Sequence, residues 1–186
     1  MSERKDPDPI DFAAVRSQEA VKRALLVALA GNHSVVLIGP SGHGKSMLAH
    51  AATAIAPIHI DEITIAPNDP ERMRRLHQYV QDDIHIEVPA VPYRELTSTR
   101  PGTDSGRIRK QVEAAIKWGA KHKDLTLSDG VLLLGKQAYD ELGLSARAFT
   151  TCVRIARTIA NLEQSERIGE CHLAEAVQYR LLDRKY

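Results

Sequence analysis

Residues 39 to 46 read Gly39-Pro40-Ser41-Gly42-His43-Gly44-Lys45-Ser46, a glycine-studded octet that ends in Lys-Ser. These residue types at this spacing suit the holding of a chain of phosphates. Gly42 and Gly44 carry no side chain, so the backbone can curl and aim its N–H groups into one concavity. A helix starting at the end of the octet would add the positive end of its dipole. Lys45 would then reach the β- and γ-phosphates of a nucleoside triphosphate, ATP being the default, and the Ser46 hydroxyl would ligate Mg2+. The competing reading is a Gly-rich strand-to-helix turn with an exposed lysine. Context favours the phosphate loop: the apolar run Val35-Val36-Leu37-Ile38 precedes it, and the Ala-rich Met47–Ala52 stretch follows with good helix propensity.

Binding a triphosphate is not hydrolysing it. Hydrolysis needs an oriented metal and an activated water, and an apolar strand ending in Asp-Glu supplies both. Ile58-His59-Ile60-Asp61-Glu62 has that form, with Asp61 expected to hold the metal and Glu62 to position the water. His59 interrupts the apolar run, and only about a helix's length separates the pair from Lys45. A strand–helix–strand crossover needs only a dozen or so residues, so Asp61 could still lie beside the loop. The alternative is a solvent-facing Asp-Glu pair at a strand end. His43 occupies a variable position of the loop and is assigned no catalytic role. His33, His50 and His77 read as surface or boundary residues. Neither a Ser-His-Asp nor a Cys-His arrangement can be defended, and Tyr93, Tyr139, Tyr179 and Trp118 are too scattered for a base-stacking platform.

The elements that would position these groups follow from periodicity and punctuation. Residues 17–30 predict an amphipathic helix, with Ser17 capping its start and Gly31 ending it. Val35–Ile38 is continuously apolar, as in a parallel strand buried on both faces. The helix after the loop is expected from Lys45 to about Ile55, before Pro57. A short strand follows at Ile58–Ile63, a turn at Pro67 and Pro70, and a polar helix over Glu71–Gln81. Ile84-His85-Ile86-Glu87-Val88 alternates with period two and predicts a strand. Beyond Pro101 the pattern is helical. The expected helices start at the Thr103-Asp104-Ser105 cap, run over Val131–Leu142 with Gly143 closing, start after Ser145, and run from Cys171 to about Leu182. The fold class is therefore α/β, a parallel sheet with helices followed by an all-α bundle. The boundary falls near Val91–Ser98, dividing the chain into 1–92 and 93–186.

Bulk composition narrows the function classes. The chain has 186 residues, 43% hydrophobic and 26% charged, with only two Phe and one Trp, so its core must be built from Leu, Ile, Val and Ala. No apolar run approaches the ~20 residues of a membrane helix. The Met1–Asp11 segment lacks the apolar centre of a signal peptide. Cys152 and Cys171 are too few and too far apart for a disulfide framework or metal knuckle, which fits a cytoplasmic protein with reduced thiols. The formal net charge of +1 argues against strong sequence-blind nucleic-acid binding by the whole chain.

Several stretches beyond the loop carry a family resemblance. They include Asp11-Phe12-Ala13-Ala14-Val15 with Gln18–Leu25, Gly31-Asn32-His33, Leu37–Pro40, Lys45–Ala49 and Ile84–Tyr93. Leu144–Ala148, Ala156–Ala160 and His172–Ala176 complete the set. Together these resemble magnesium-chelatase-like AAA+ ATPases, specifically the ComM/YifB competence-protein branch, over most of 11–55 and 84–186. The resemblance implies a P-loop AAA+ core with a helical lid, working as a ring of subunits, and an association with branched DNA. It implies that Asp11–Leu25 lies near the adenine, although Ser17 stands where the family has Gly. It also implies that Arg147 is the lid arginine that reaches the γ-phosphate. The alternative for Arg147 is a surface arginine at a helix N-terminus, which the helix dipole disfavours.

The departures are equally informative. Only residues 56–83 fill a gap that holds a long insert in the family, and Gln81 stands where an arginine acting in trans is expected. Such a finger contributes several orders of magnitude in rate. The chain thus reads as an internally shortened relative. Three functions follow as expectations. The first is ATP binding with weak or partner-dependent hydrolysis, using Lys45, Ser46, Asp61, Glu62 and Arg147. The second is a non-catalytic interaction module, forming a homo-oligomer or docking on a full-length AAA+ relative. The third is DNA binding through Arg154 and Arg157 with Lys110, Lys117 and Lys121, against which stands an ordinary solvated helix face.

Overall fold

Val35-Val36-Leu37-Ile38-Gly39 has no polar side chain, and in the computed structural model every residue of this strand, β1 (Val35–Gly39), is buried. Residues 10–15, 17–65, 69, 71–96 and 102–183 are described; the turn expected at Pro67 and Pro70 lies outside them. A strand apolar on both faces requires cover on both faces and hydrogen-bonding neighbours on both edges. Two parallel strands supply the edges, β2 (Ile60–Thr64) and β3 (Ile84–Glu87), in the order β2-β1-β3. Val36 pairs with Asp61 and His85, and Leu37 with Glu62 and Ile86.

Parallel pairing obliges each connection to cross over. Helix α1 (Glu19–Gly31) precedes the sheet, and α2 (Lys45–Thr53) links β1 to β2. Helix α3 (Arg72–Leu76) and a 3-10 turn at His77–Tyr79 link β2 to β3. The expected polar helix over Glu71–Gln81 is thus shorter and tighter. The sheet's two faces bury separate clusters. Val35, Leu37 and Ile84 face the main core with α1 and α2, whereas Val36, Ile38 and Ile63 face a smaller cluster with Leu76 and Leu182.

A short helix α4 (Tyr93–Leu96) leads to α5 (Ser105–Gly119), α6 (Asp129–Leu142), α7 (Ala146–Leu162) and α8 (Glu170–Gln178). Asp104 caps α5 through the Arg107 N–H, Ser145 caps α7 through the Ala148 N–H, and Gly143 ends α6 in the left-handed region. Helix α7 is the spine of the bundle, with Ala148, Cys152, Ile155, Ala156 and Ile159 fully buried. Phe12, α1 and the inner faces of these helices share one continuous core.

The last expected helix stops at Gln178, because the chain there leaves α8 to cover the open edge of β3. The Tyr179 carbonyl accepts the His85 N–H at 2.8 Å, and Arg180 bridges to His85. Arg180 then donates to the carbonyls of Val80, Asp82 and Asp83 and pairs with Asp183 at 2.6 Å. Alternation along β3 would leave His85 on a polar face. Instead it is 1% exposed, and its Nδ1 accepts the Leu182 N–H at 3.2 Å. His33, expected at the surface or a boundary, is also buried, between the Thr158 hydroxyl at 2.9 Å and Asp83 at 3.3 Å.

Two more expectations are corrected here. Ser17 does not cap α1: Ser17 and Gln18 are both left-handed, at φ +59° and +63°, and Asn32 rather than Gly31 takes the left-handed position at the helix end. Arg157 is not part of a DNA-facing pair with Arg154. It is 5% exposed and donates to Asn161 Oδ1 and to the carbonyls of Ser165 and Glu166, so it closes the turn after α7.

Burial, aided by the Arg180 guanidinium, pushes the pKa of His85 down from 6.5 to about 3. A base depressed in the folded state takes up its proton on unfolding, so its contribution is intact above pH 6.5 and is lost as pH falls towards 3. The melting temperature is therefore expected to fall on acidification from pH 6.5 to 5, less steeply in His85→Gln; parallel slopes would refute the assignment. At position 17, a left-handed non-glycine residue costs ~1–2 kcal/mol, and glycine's extra unfolded-state entropy offsets about half of that. Ser17→Gly should stabilise the chain by ~0.5–1 kcal/mol in urea unfolding, and destabilisation would contradict the backbone assignment.

Candidate nucleotide-binding site

The loop forms where β1 ends. A Cβ on Gly39 would lie 2.7 Å from the Val88 carbonyl, so only glycine lets β1 exit beside the chain leaving β3. Gly42 and Gly44 sit at φ +80° and +85° with nothing within 4 Å of a Cβ position. There conformation demands glycine, and the space above the backbone is open. Gly44 precedes α2 without a side-chain cap, so the first N–H groups of the helix are left for an anion rather than claimed by Ser or Asp. Pro40, Ser41 and His43 complete the turn.

Lys45 opens α2 and is 6% exposed. Its ammonium donates to the carbonyls of Gly39 at 2.9 Å and Pro40 at 2.8 Å, so the charge is kept inside the loop by main-chain dipoles. The Ser46 hydroxyl donates to Glu62 Oε2 at 2.6 Å. Successive residues of a strand face opposite sides, and this decides between the two carboxylates. Glu62 follows Ile60 onto the face covered by α2; Asp61 shares the other face with Ile63. The metal role expected for Asp61 beside Ser46 does not fit this geometry. Asp61 Oδ2 lies 3.4 Å from His59 Nε2, in a group with Asp82. On the loop side the acidic contribution comes from Glu62.

Next to the loop is a cavity of about 430 Å3 lined by Ala14, Val15, Gln18, Met47, Ala90 and Val91 with loop residues Gly42 to Gly44. Gln18 shapes it. Its carboxamide nitrogen donates to the carbonyls of His43 and Pro89, both at 3.1 Å, tying the loop to the exit of β3 and the start of α1. His43 adds a ring contact of 3.3 Å to the Val88 carbonyl. Residue types in the sequence do not single out Gln18, Met47 or Ala90. Their contribution arises because three remote segments converge, although the resemblance did place Asp11–Leu25 at a base. A mostly apolar cleft beside an anion-binding turn fits a flat heterocycle joined to phosphates.

Arg147 is not brought to this site. It is exposed at the start of α7 and lines a separate depression with Gln78, Val80, Gln81, Arg180 and Asp183. The lid arginine expected to reach a γ-phosphate thus does not stand beside the loop of its own chain, because α7 packs against α1. Nor do Arg154 and Arg157 form a shared basic face. Arg154 approaches Asp83 Oδ2 at 3.7 Å, and Arg157 is internal. Burial would raise the Asp83 carboxyl, but the His33 hydrogen bond and the charges of His33 and Arg154 hold it below the usual carboxylate range.

Comparison with known proteins agrees with this architecture. The family model for the magnesium chelatase subunit ChlI matches residues 11–95, and that for the ChlI C-terminal region matches 104–180. The chain is 34% identical over 117 residues to competence protein ComM of Haemophilus influenzae, and 34% identical over 119 residues to YifB of Escherichia coli K12. Each alignment takes in 55% of this chain and 23% of the relative. YifB of Salmonella typhimurium is 51% identical over 43 residues. The chain therefore aligns with about a quarter of the length of the first two. Among the described residues, no helix is long and apolar enough to cross a membrane. With a three-stranded parallel sheet among the described residues, a glycine loop after its central strand and a helical C-terminal part, the chain belongs to the magnesium-chelatase-like family and is similar to ComM.

Proposed function

We propose that this protein binds ATP together with Mg2+ at the Gly39–Ser46 loop, with the base in the cleft between Val15, Gln18, Met47 and Val91. The observation that carries this reading is the left-handed pair Gly42 and Gly44 at the uncapped start of α2, next to a buried Lys45 and the Ser46–Glu62 hydrogen bond. The open space over both glycines accommodates phosphate oxygens, and the hard oxygen donors of Ser46 and Glu62 suit Mg2+. When bound, Mg2+ neutralises phosphate charge. Lys45 transfers its ammonium contact from the Gly39 and Pro40 carbonyls to phosphate, and Glu62 orients the Ser46 hydroxyl.

Turnover by one chain alone is expected to be slow. Asp61 is on the far face of the sheet, Arg147 is remote from its own loop, and Gln81 stands at the arginine-finger position. Exposed Arg147 is available to the nucleotide of a neighbour, which favours a homo-oligomer or an assembly with a full-length AAA+ relative. Among the described strands β2 has a neighbour on one edge only, leaving the other for such an association. A role in competence comes from the relative's name, and a cytoplasmic location from the composition. The DNA-binding alternative loses one of its residues, Arg157, to the interior.

Isothermal titration with Mg·ATP tests the reading. Lys45→Ala should weaken binding at least ten-fold, about 1.4 kcal/mol, with the folded circular-dichroism spectrum retained. Glu62→Gln should reduce the Mg2+ dependence of binding. Equal affinity of the wild-type protein and Lys45→Ala would overturn the proposal.

A further inference from the structure

Turning Asp61 away from the loop creates a second cluster, on the opposite face of the sheet from Ser46 and Glu62. His59, Asp61 and Asp82 each present one donor atom, and the three donors lie within 4.8 Å of one another; His59 Nε2 and Asp61 Oδ2 are 3.4 Å apart. Donors around a divalent ion with bonds of ~2.0–2.2 Å stand roughly 3–4 Å apart, so small rotamer changes of the exposed His59 would close the set. The group lines a depression with Ser34, Gln78, Tyr79 and Gln81. The geometry points to a site for a divalent transition-metal ion, Zn2+ or a close relative, held by His59, Asp61 and Asp82 and distinct from the nucleotide's Mg2+.

Asp82 makes this more than a surface coincidence of acids. It is 9% exposed, and its backbone is fixed at both ends: the N–H donates to the Tyr79 carbonyl at 3.1 Å, and the carbonyl accepts from Arg180. A preset, buried carboxyl therefore faces the depression. The Asp82 carboxyl is also held by a hydrogen bond from Ser34. Asp83 is already engaged with His33 and Arg154. Among the described residues, the imidazole grouped with Asp61 and Asp82 is that of exposed His59. A cation between the Asp61 and Asp82 carboxylates would offset their mutual repulsion. One imidazole nitrogen with two carboxylate oxygens selects Zn2+, Mn2+ or Co2+ over Mg2+ and Ca2+, which prefer oxygen alone.

The contrast with the other such group among the described residues sharpens the assignment. Glu163, Cys171 and His172 also lie close together, but His172 Nδ1 accepts the Gly169 N–H at 2.9 Å and its Nε2 faces Glu163 at 3.0 Å. That imidazole must carry its proton on Nε2, and Glu163 also pairs with Arg23, so the group is closed to a metal. A metal at the first site would instead join β2 to the chain entering β3 beneath Ser34, where β1 begins. It would pin both outer strands of a small sheet, and ligation would appear as added stability.

The test uses the full-length protein stripped with a chelator and then titrated with Zn2+ by calorimetry and with Co2+ by absorption. One saturable equivalent is expected, with weak d–d bands and no thiolate charge-transfer band. Asp61→Asn and Asp82→Asn should each weaken binding at least ten-fold, and Zn2+ should raise the melting temperature of wild type by several degrees but not that of Asp61→Asn. Cys171→Ser should bind as wild type. Should Asp82→Asn fail to fold, the solvent-accessible substitutions His59→Ala and Asp61→Asn decide the matter. Absence of saturable binding, binding indifferent to Asp61 and His59, or binding lost in Cys171→Ser would each overturn the assignment.

Discussion

Complete burial of β1 is the constraint from which the rest follows. A strand with no solvent-facing side must be covered above, below and on both edges, and each cover brings a functional group with it. The α2 cover carries Lys45 and Ser46 and fixes which face of the sheet belongs to the loop. The β2 edge brings Glu62 into register with Leu37 on that face, and Asp61 with Val36 on the other. The β3 edge ends at Val88, whose carbonyl leaves room only for glycine at the exit of β1. Placement of the loop is thus a consequence of sheet packing as much as of loop sequence.

A sheet of three strands leaves its margins short of cover, and buried polar side chains make up the deficit. Arg180 satisfies three carbonyls of the Val80–Asp83 turn, while Tyr179 pairs with the edge of β3. Arg157 does the same for Ser165 and Glu166 behind α7, and His33 joins Thr158 to Asp83. Each is costly to bury and stays inside because several acceptors share it. Part of the positive charge of the C-terminal half, that of Arg157 and Arg180, is thus internal structure.

Much of the fold was legible in the chain. The loop between β1 and α2 rests on local rules: an apolar run, glycines, a helix-forming run. The capped starts of α5 and α7 at Asp104 and Ser145, and the Gly143 stop, rest on side-chain hydrogen bonds and backbone conformations within a few residues. The three-residue tail of 3-10 turn after α8 was not legible, because Tyr179 and Arg180 answer to β3, over ninety residues away. The burial of His85, His33 and Arg157 was hidden for the same reason: a polar side chain goes inside only where remote acceptors await it.

By itself, the order of residues settled that a glycine-rich turn follows a buried parallel strand and that a helical bundle comes after it, since both depend on neighbours in sequence. Tertiary structure alone decided which carboxylate stands beside Ser46, that Gln18 ties the loop to Pro89, and that Arg147 lies apart from its own loop. Strand register, helix crossing and the convergence of distant segments set those positions. They are fixed by packing across the sheet, and no local pattern encodes them.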